Sequence, residues 1–176
     1  FRVPTLYQRF SQYGQPALEP EKARNLELGL HWAQGASRFD VTAYRNRVRN
    51  LITFGAAGPC GSPFGCYENT GRARLQGVTI AAAHRFSAVN LGGSLDLQQP
   101  KDEVRGKLLP RRAKRLLKLH ADTRVGDWTL GAEWQAASRR YDNAANTRVL
   151  AGYGIVNLYA TATIAREWNL LARIDN

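Results

Sequence analysis

Three histidines, two cysteines and scattered carboxylates are the side chains of this 176-residue sequence that could do chemistry, and their spacing argues against most of it. His31, His84 and His120 stand far apart. No Ser-His-Asp ordering around a nucleophile elbow is present, nor an HExxH helix motif, nor a glycine loop shaped for phosphates. Gly126-Asp-Trp-Thr-Leu-Gly131 holds two glycines, but on a hairpin they serve a turn and a small strand position. Asp102 and Glu103 adjoin in a loop, where solvent satisfies both carboxylates. The sequence therefore reads as a non-enzyme, with no catalytic residue, no metal site and no cofactor assigned to it.

Cys60 and Cys66 are the only cysteines and lie inside the Gly/Pro-rich stretch Gly55–Cys66. Two thiols cannot complete a four-ligand zinc site, and no histidine lies nearby. Their spacing fits no CxxC redox motif. A disulfide clamping a loop is favoured over two free thiols, and it implies an oxidising compartment, the periplasm or the cell surface.

The net charge of +11 invites a nucleic-acid partner, so the placement of the basic residues matters. They are scattered. The densest run, Arg111-Arg112-Ala113-Lys114-Arg115, leads straight into alternating sequence, and no helix-turn-helix, zinc-finger or RNA-binding signature accompanies it. A solvated or lumen-facing basic surface is expected, with no nucleic acid; basic residues at a membrane edge can also meet anionic head groups.

The elements that carry these residues are read from period. Leu26, Leu28, Leu30 and Trp32 alternate with polar or small residues, which puts one greasy and one wet face on an extended strand. Phe39, Val41 and Ala43 repeat the pattern after a Gln34-Gly35 turn, and Val78, Ile80 and Ala82 do so more weakly. Val89–Leu97, Leu117–Ala121, Trp128–Ala136, Val156–Ile164 and Trp168–Ile174 complete about eight strands. Connections alternate in length. Short turns follow Trp32, Phe86, Val125 and Ala165, and long polar loops follow Ile52, Gln99 and Ser138.

That alternation suits periplasmic turns on one rim and extracellular loops on the other. Trp32, Trp128 and Trp168, with Phe86, sit beside the short turns, as an aromatic girdle requires. No apolar run approaches the length of a membrane-crossing helix. Low mean hydropathy does not count against a barrel, whose strands alternate. The expected fold is all-β, an antiparallel up-and-down transmembrane β-barrel. A soluble β-sandwich or basic binding module, and a small self-contained structural outer-membrane barrel, are the alternatives.

The residues also carry a resemblance. Phe1-Arg-Val-Pro-Thr-Leu-Tyr7, Leu18-Glu-Pro-Glu-Lys22 and Asn25-Leu-Glu-Leu-Gly29 resemble the "FRAPTL" box, "L-x-PE" turn and following strand of TonB-dependent receptors. Phe39–Asn46 with Leu51-Ile52, and then Tyr67–Val78, are similar to the next two strands of that family. Leu109-Pro-Arg-Arg-Ala-Lys114 resembles a turn-and-strand start of the vitamin B12 receptors and their relatives, and Leu170–Asn176 the penultimate strand. The matches run in the correct order along nearly the whole chain. Two departures stand out: Thr79 replaces the glutamate usual after the Gly-Val pair, and the cysteine loop is not a general family feature.

The resemblance implies that residues 1–176 are the C-terminal portion of a receptor barrel, about eight of roughly 22 strands, with the plug domain and earlier strands outside the sequence. It implies a bacterial outer-membrane receptor that takes up a scarce nutrient, cobalamin (vitamin B12) foremost, with a siderophore or haem as the alternative. The partners implied are that cobalamin or iron-siderophore ligand, the plug domain of the same chain, the TonB complex through the N-terminal part, and membrane lipid. Phe54, Phe64, Tyr67, Tyr141 and Asn143, in the segments 54–67 and 141–149, are the expected ligand-facing residues. Glu133, Gln135, Asp96 and Lys118 are expected to face the plug or the water of the lumen.

Overall fold

A computed structural model describes residues 1–176, apart from the side chain of Thr70. A short helix, α1 (Leu6–Phe10), precedes ten strands: β1 (Lys22–Gln34), β2 (Ser37–Phe54), β3 (Tyr67–Phe86), β4 (Val89–Asp102), β5 (Arg115–Val125), β6 (Trp128–Ala137), β7 (Arg140–Tyr141), β8 (Val149–Leu150), β9 (Tyr153–Ala165) and β10 (Trp168–Ile174). Eight of them form one antiparallel sheet in the order β1-β2-β3-β4-β5-β6-β9-β10, and β7 and β8 form a separate two-residue hairpin inside the connection from β6 to β9. Each long strand pairs with its neighbours in sequence, which is an up-and-down meander. The sheet does not close on itself: β1 and β10 are its edges.

Register makes the alternation of each strand coherent across the sheet. Leu30 pairs with Val41, Val41 with Ile80, Ile80 with Leu95, and Leu95 with Leu117. Trp134 pairs with Val156, and Leu158 with Ile174. One continuous apolar face results, because a period of two keeps every such residue on the same side. Leu26, Leu28 and Leu30 are 73%, 77% and 65% exposed, which in water would make a large unstable apolar surface. Facing hydrocarbon, the same surface is satisfied.

The inner face is polar. Tyr44 donates to Asp96 Oδ1 at 3.2 Å, and Thr79 Oγ1 reaches the same oxygen at 3.0 Å. Arg173 donates to Glu133 at 2.7 Å from β10, across the intervening β9, and Asn90 to Asp122 at 2.7 Å. Lys118 and Gln135 are paired neighbours on this face. Three rings lie flat against it over glycines: a Cβ at Gly77, Gly92 or Gly131 would run into Tyr44, His120 or Tyr159 respectively. Among the described residues, no helix is long and apolar enough to cross a membrane.

The four short turns gather at one end and the three long connections at the other. Gly35 and Gly126 take φ of 55° and 60° in two of the turns, a conformation that costs glycine least, and Ser87 takes 44° in a third. Trp32, Phe86, Trp128 and Trp168 flank these turns. Period alone placed strand ends early, since β2 runs on to Phe54 and β4 to Asp102, whereas the family resemblance already carried β3 back to Tyr67. In those extensions the alternation is masked by arginines and polar residues, since the strands have left the apolar band and face water on both sides.

Candidate functional site

Buried residues cluster at the loop end, and this canopy is where a site is built. Leu109, from the β4–β5 connection (103–114), folds back over the inner face and packs with Val48 of β2 and Ala73 of β3, with Leu51 and Leu75 against them. Buried Asp102 holds the connection's first turn, accepting from the N–H groups of Val104 at 2.9 Å and Arg105 at 3.0 Å. Glu68 accepts from Arg105 at 2.9 Å, and this hydrogen bond raises the already high pKa of the guanidinium.

Residues 1–21 form a second wall of the canopy. Thr5 caps α1 in a reciprocal box with Gln8, which sets the helix start. Leu18 and Glu21 are buried, and Glu21 accepts from the Ile52 N–H at 2.8 Å while its backbone bridges Arg2. Asn69 accepts from the Glu19 N–H at 2.8 Å and donates to the Asn50 carbonyl at 2.8 Å. The Leu18–Glu21 segment is therefore a fastener between the N-terminal arm and β2–β3.

The fastener brings aromatic rings together. Tyr7 meets Tyr67 edge-on at 6.2 Å, Tyr67 meets Phe54 at 5.3 Å, and Phe54 meets Tyr13 at 5.7 Å. The Tyr67 N–H donates to the Tyr13 carbonyl at 2.9 Å. Between Phe54 and Tyr67 the loop doubles back, with Gly55 N–H on the Cys66 carbonyl at 2.9 Å and Cys66 N–H on the Ala56 carbonyl at 3.1 Å. Cys60 and Cys66 are joined by a disulfide, with Cα atoms 5.8 Å apart. Phe64 projects from the clamped segment, 79% exposed.

Opposite stands the connection from β6 to β9. The Arg111 N–H donates to the Tyr141 carbonyl at 2.6 Å and its guanidinium to Asp142 at 2.9 Å. Arg148 shares Asp142 at 3.4 Å. Asn143 builds the turn, accepting from the N–H groups of Thr147 and Arg148 at 3.1 and 3.2 Å. Asn146 ties this connection to Leu108 in both directions, at 2.7 and 2.9 Å.

These parts enclose an open-topped cavity of about 910 Å³. Tyr7, Tyr13, Phe54, Phe64 and Tyr67 line one side; Arg111, Asp142 and Asn143 line the other. Four of the five expected ligand-facing residues thus share one cavity, although more than 70 residues separate Tyr67 from Asn143 in sequence. Tyr141 is not among the lining residues; it pairs with Val149 in the β7–β8 hairpin, and its carbonyl is used by Arg111. Asp142 falls within the expected segment 141–149, whereas sequence reasoning missed Tyr7, Tyr13 and Arg111. The Thr5-x-x-Gln8 capping box would have signalled α1, but nothing local announces that it packs on β3. Among the described residues no group of three or more His, Cys, Asp or Glu side chains converges as metal ligands would.

The family model described as "TonB dependent receptor-like, beta-barrel" matches residues 1–176. The chain belongs to this family of TonB-dependent receptor β-barrels. The vitamin B12 transporter BtuB of Vibrio cholerae is 29% identical over 185 aligned residues, covering 100% of this chain and 29% of its own length. BtuB of Photobacterium profundum is 27% identical over 179 residues with the same coverage. The chain thus spans less than a third of the length of these curated relatives.

Among solved structures, the copper transporter OprC superposes with a TM-score of 0.79 at 20% identity, over 99% of this chain and 30% of its own. The ferric enterobactin receptor PfeA of Pseudomonas aeruginosa superposes at 0.72 and 20% identity, over 93% and 26%. At such identity these likenesses establish the fold, the wall segment of a TonB-dependent receptor barrel. The family consists of outer-membrane receptors and transporters, not enzymes.

Proposed function

We propose that residues 1–176 form the C-terminal barrel wall and part of the ligand-binding canopy of an outer-membrane receptor that takes up cobalamin. The observation that carries this reading is the chemistry of the canopy cavity. Five aromatic rings line one side, and the charged groups opposite, Arg111 and Asp142, pair with each other. Aromatic faces suit the flank of a large macrocycle edged with amides, and Arg111 and Arg148, which share the one carboxylate of Asp142, leave a single positive charge opposite them rather than the several unpaired cations a polyanionic iron chelate would require. Similarity along the whole of this chain to under a third of two vitamin B12 transporters supports the same substrate.

In the complete receptor the ligand would settle on the canopy, and the TonB complex would pull on a plug domain lodged against the polar inner face to release it inward. No bond of the ligand is broken. The test is binding of cyanocobalamin, a ferric siderophore and haem to the full-length receptor in detergent, followed by tryptophan quenching or calorimetry. Cyanocobalamin is expected to bind tightest, and Phe54→Ala with Tyr67→Ala to weaken it about thirtyfold, the size of a buried aromatic contact. Tighter binding of the siderophore or haem, with the double variant affecting that ligand instead, would keep the receptor and replace its substrate.

A further inference from the structure

Where Val48 of β2 and Ala73 of β3 turn inward beneath Leu109, their neighbours in the chain turn outward. Register makes two successive outward rungs cationic throughout. One is Arg24, Arg47, Arg74 and Lys101, across β1 to β4; the next is Lys22, Arg49 and Arg72, across β1 to β3. The pairings run without a shift from the apolar band, so both rungs share the face of Leu28, Ala43 and Val78. A rung of Leu26, Arg45, Gln76 and Gln99 lies between, with Gln76 donating to Gln99 at 3.2 Å.

Rungs stand about 7 Å apart and strands roughly 5 Å apart, which gathers the cations on a patch about 14 Å wide. Like charges set directly opposite one another destabilise a sheet. Among the described residues, Arg74 alone of the two rungs has a carboxylate partner, Glu103 at 3.4 Å. Arg24, Arg47, Arg49 and Arg72 are exposed. An external polyanion would remove the repulsion and use the paired donors of each guanidinium.

Position in the membrane decides which polyanion that is. Short turns mark the periplasmic rim of such barrels, so these rungs lie past the opposite edge of the apolar band, in the watery head-group layer of the outer leaflet. Lipopolysaccharide, the glycolipid of that leaflet, carries several phosphates just above its acyl chains. The face offers the same order: Leu28, Val78 and Leu97 for the chains, then amides, then two rungs of cations. A phospholipid would bring one phosphate and leave most of the patch unpaired.

We propose that the outward rungs of β1 to β4 bind the phosphates of one outer-leaflet lipopolysaccharide molecule, taking the place of the divalent cations that otherwise bridge such phosphates. The site depends on the membrane orientation of the sheet and not on which nutrient the canopy takes. The test is native mass spectrometry of the full-length receptor in detergent with added lipid A, the phosphorylated anchor of lipopolysaccharide, in the presence of EDTA. One retained lipid A per receptor is expected, in preference to dephosphorylated lipid A and to phosphatidylglycerol. The triple change Arg47→Gln, Arg49→Gln and Arg72→Gln should weaken retention about a hundredfold, at roughly fivefold for each cation removed. Arg85→Gln, Arg124→Gln and Arg166→Gln together, away from the patch, should leave it unchanged. Unaltered heat-modifiable mobility on gels verifies that each variant is folded. The proposal is overturned if EDTA strips the lipid, if dephosphorylated lipid A or phosphatidylglycerol competes equally, or if the two folded triple variants bind alike.

Discussion

The wall and the canopy of this molecule satisfy their apolar side chains in opposite ways. Along β1 the leucines that would make a core in a soluble protein are largely exposed, while Leu109, Ala73 and Val48 in the canopy are 3%, 1% and 7% exposed. The wall has bilayer as its solvent and needs no second layer. The canopy stands in water, so it must cover its own apolar groups, and it does so by folding a loop back onto the strands and fastening the N-terminal arm with Glu21 and Asn69. Stability in the first region comes from transfer into lipid plus the hydrogen-bond ladder of the sheet; in the second it comes from packing and a few side-chain-to-backbone bonds.

A charge placed mid-wall should break the comparison hardest. Leu28→Arg, in the middle of the apolar run Leu26–Trp32, is expected to destabilise the inserted full-length receptor by about 2–4 kcal/mol. The heat-modifiable gel shift and urea unfolding in lipid vesicles would register that loss, with ligand binding unchanged in whatever fraction folds. If Leu28→Arg cost nothing, the apolar face would not be facing lipid.

Leu109→Ala should act on the canopy alone. Removing this side chain from its contacts with Val48 and Ala73 is expected to cost about 2–3 kcal/mol locally. Hydrogen exchange should quicken in residues 103–114 while the strand amides of β5 and β6 keep their protection. Equal loss of protection in both regions would show that wall and canopy unfold as one.

Smaller still is the effect of the clamp. The double change Cys60→Ser and Cys66→Ser is expected to destabilise the 55–66 loop by about 2 kcal/mol, because so short a closed loop removes little chain entropy. Weaker ligand binding with intact membrane insertion is the readout. Retained affinity would mean that the backbone bonds of Gly55 and Cys66 hold Phe64 without help.

Alternation read off Leu26–Trp32, Val89–Leu97 and Trp128–Ala136 gave the strands and their faces, since a period of two is a property of the chain itself and lipid enforces it without exception on one side. The extracellular extensions of β2, β3 and β4 were harder to read. Arg45 to Asn50 and Arg72 to Arg74 belong to strands that have left the membrane, and there no solvent imposes a pattern. Asn50, at φ 57°, interrupts the regular backbone of β2 within this stretch.

What the sequence determined by itself was therefore the meander: number of long strands, which residues face outward, which end bears the turns, and that Cys60 and Cys66 close a loop. Tertiary structure decided how the site is assembled. Tyr7 and Tyr13 reach Tyr67 and Phe54 only because the arm is fastened to β2 and β3, and Asn143 faces them only because the sheet brings distant connections over one mouth. Local period carries information about the face of a strand, whereas the meeting of loops depends on the twist and register summed over several strands, which no short stretch of sequence encodes.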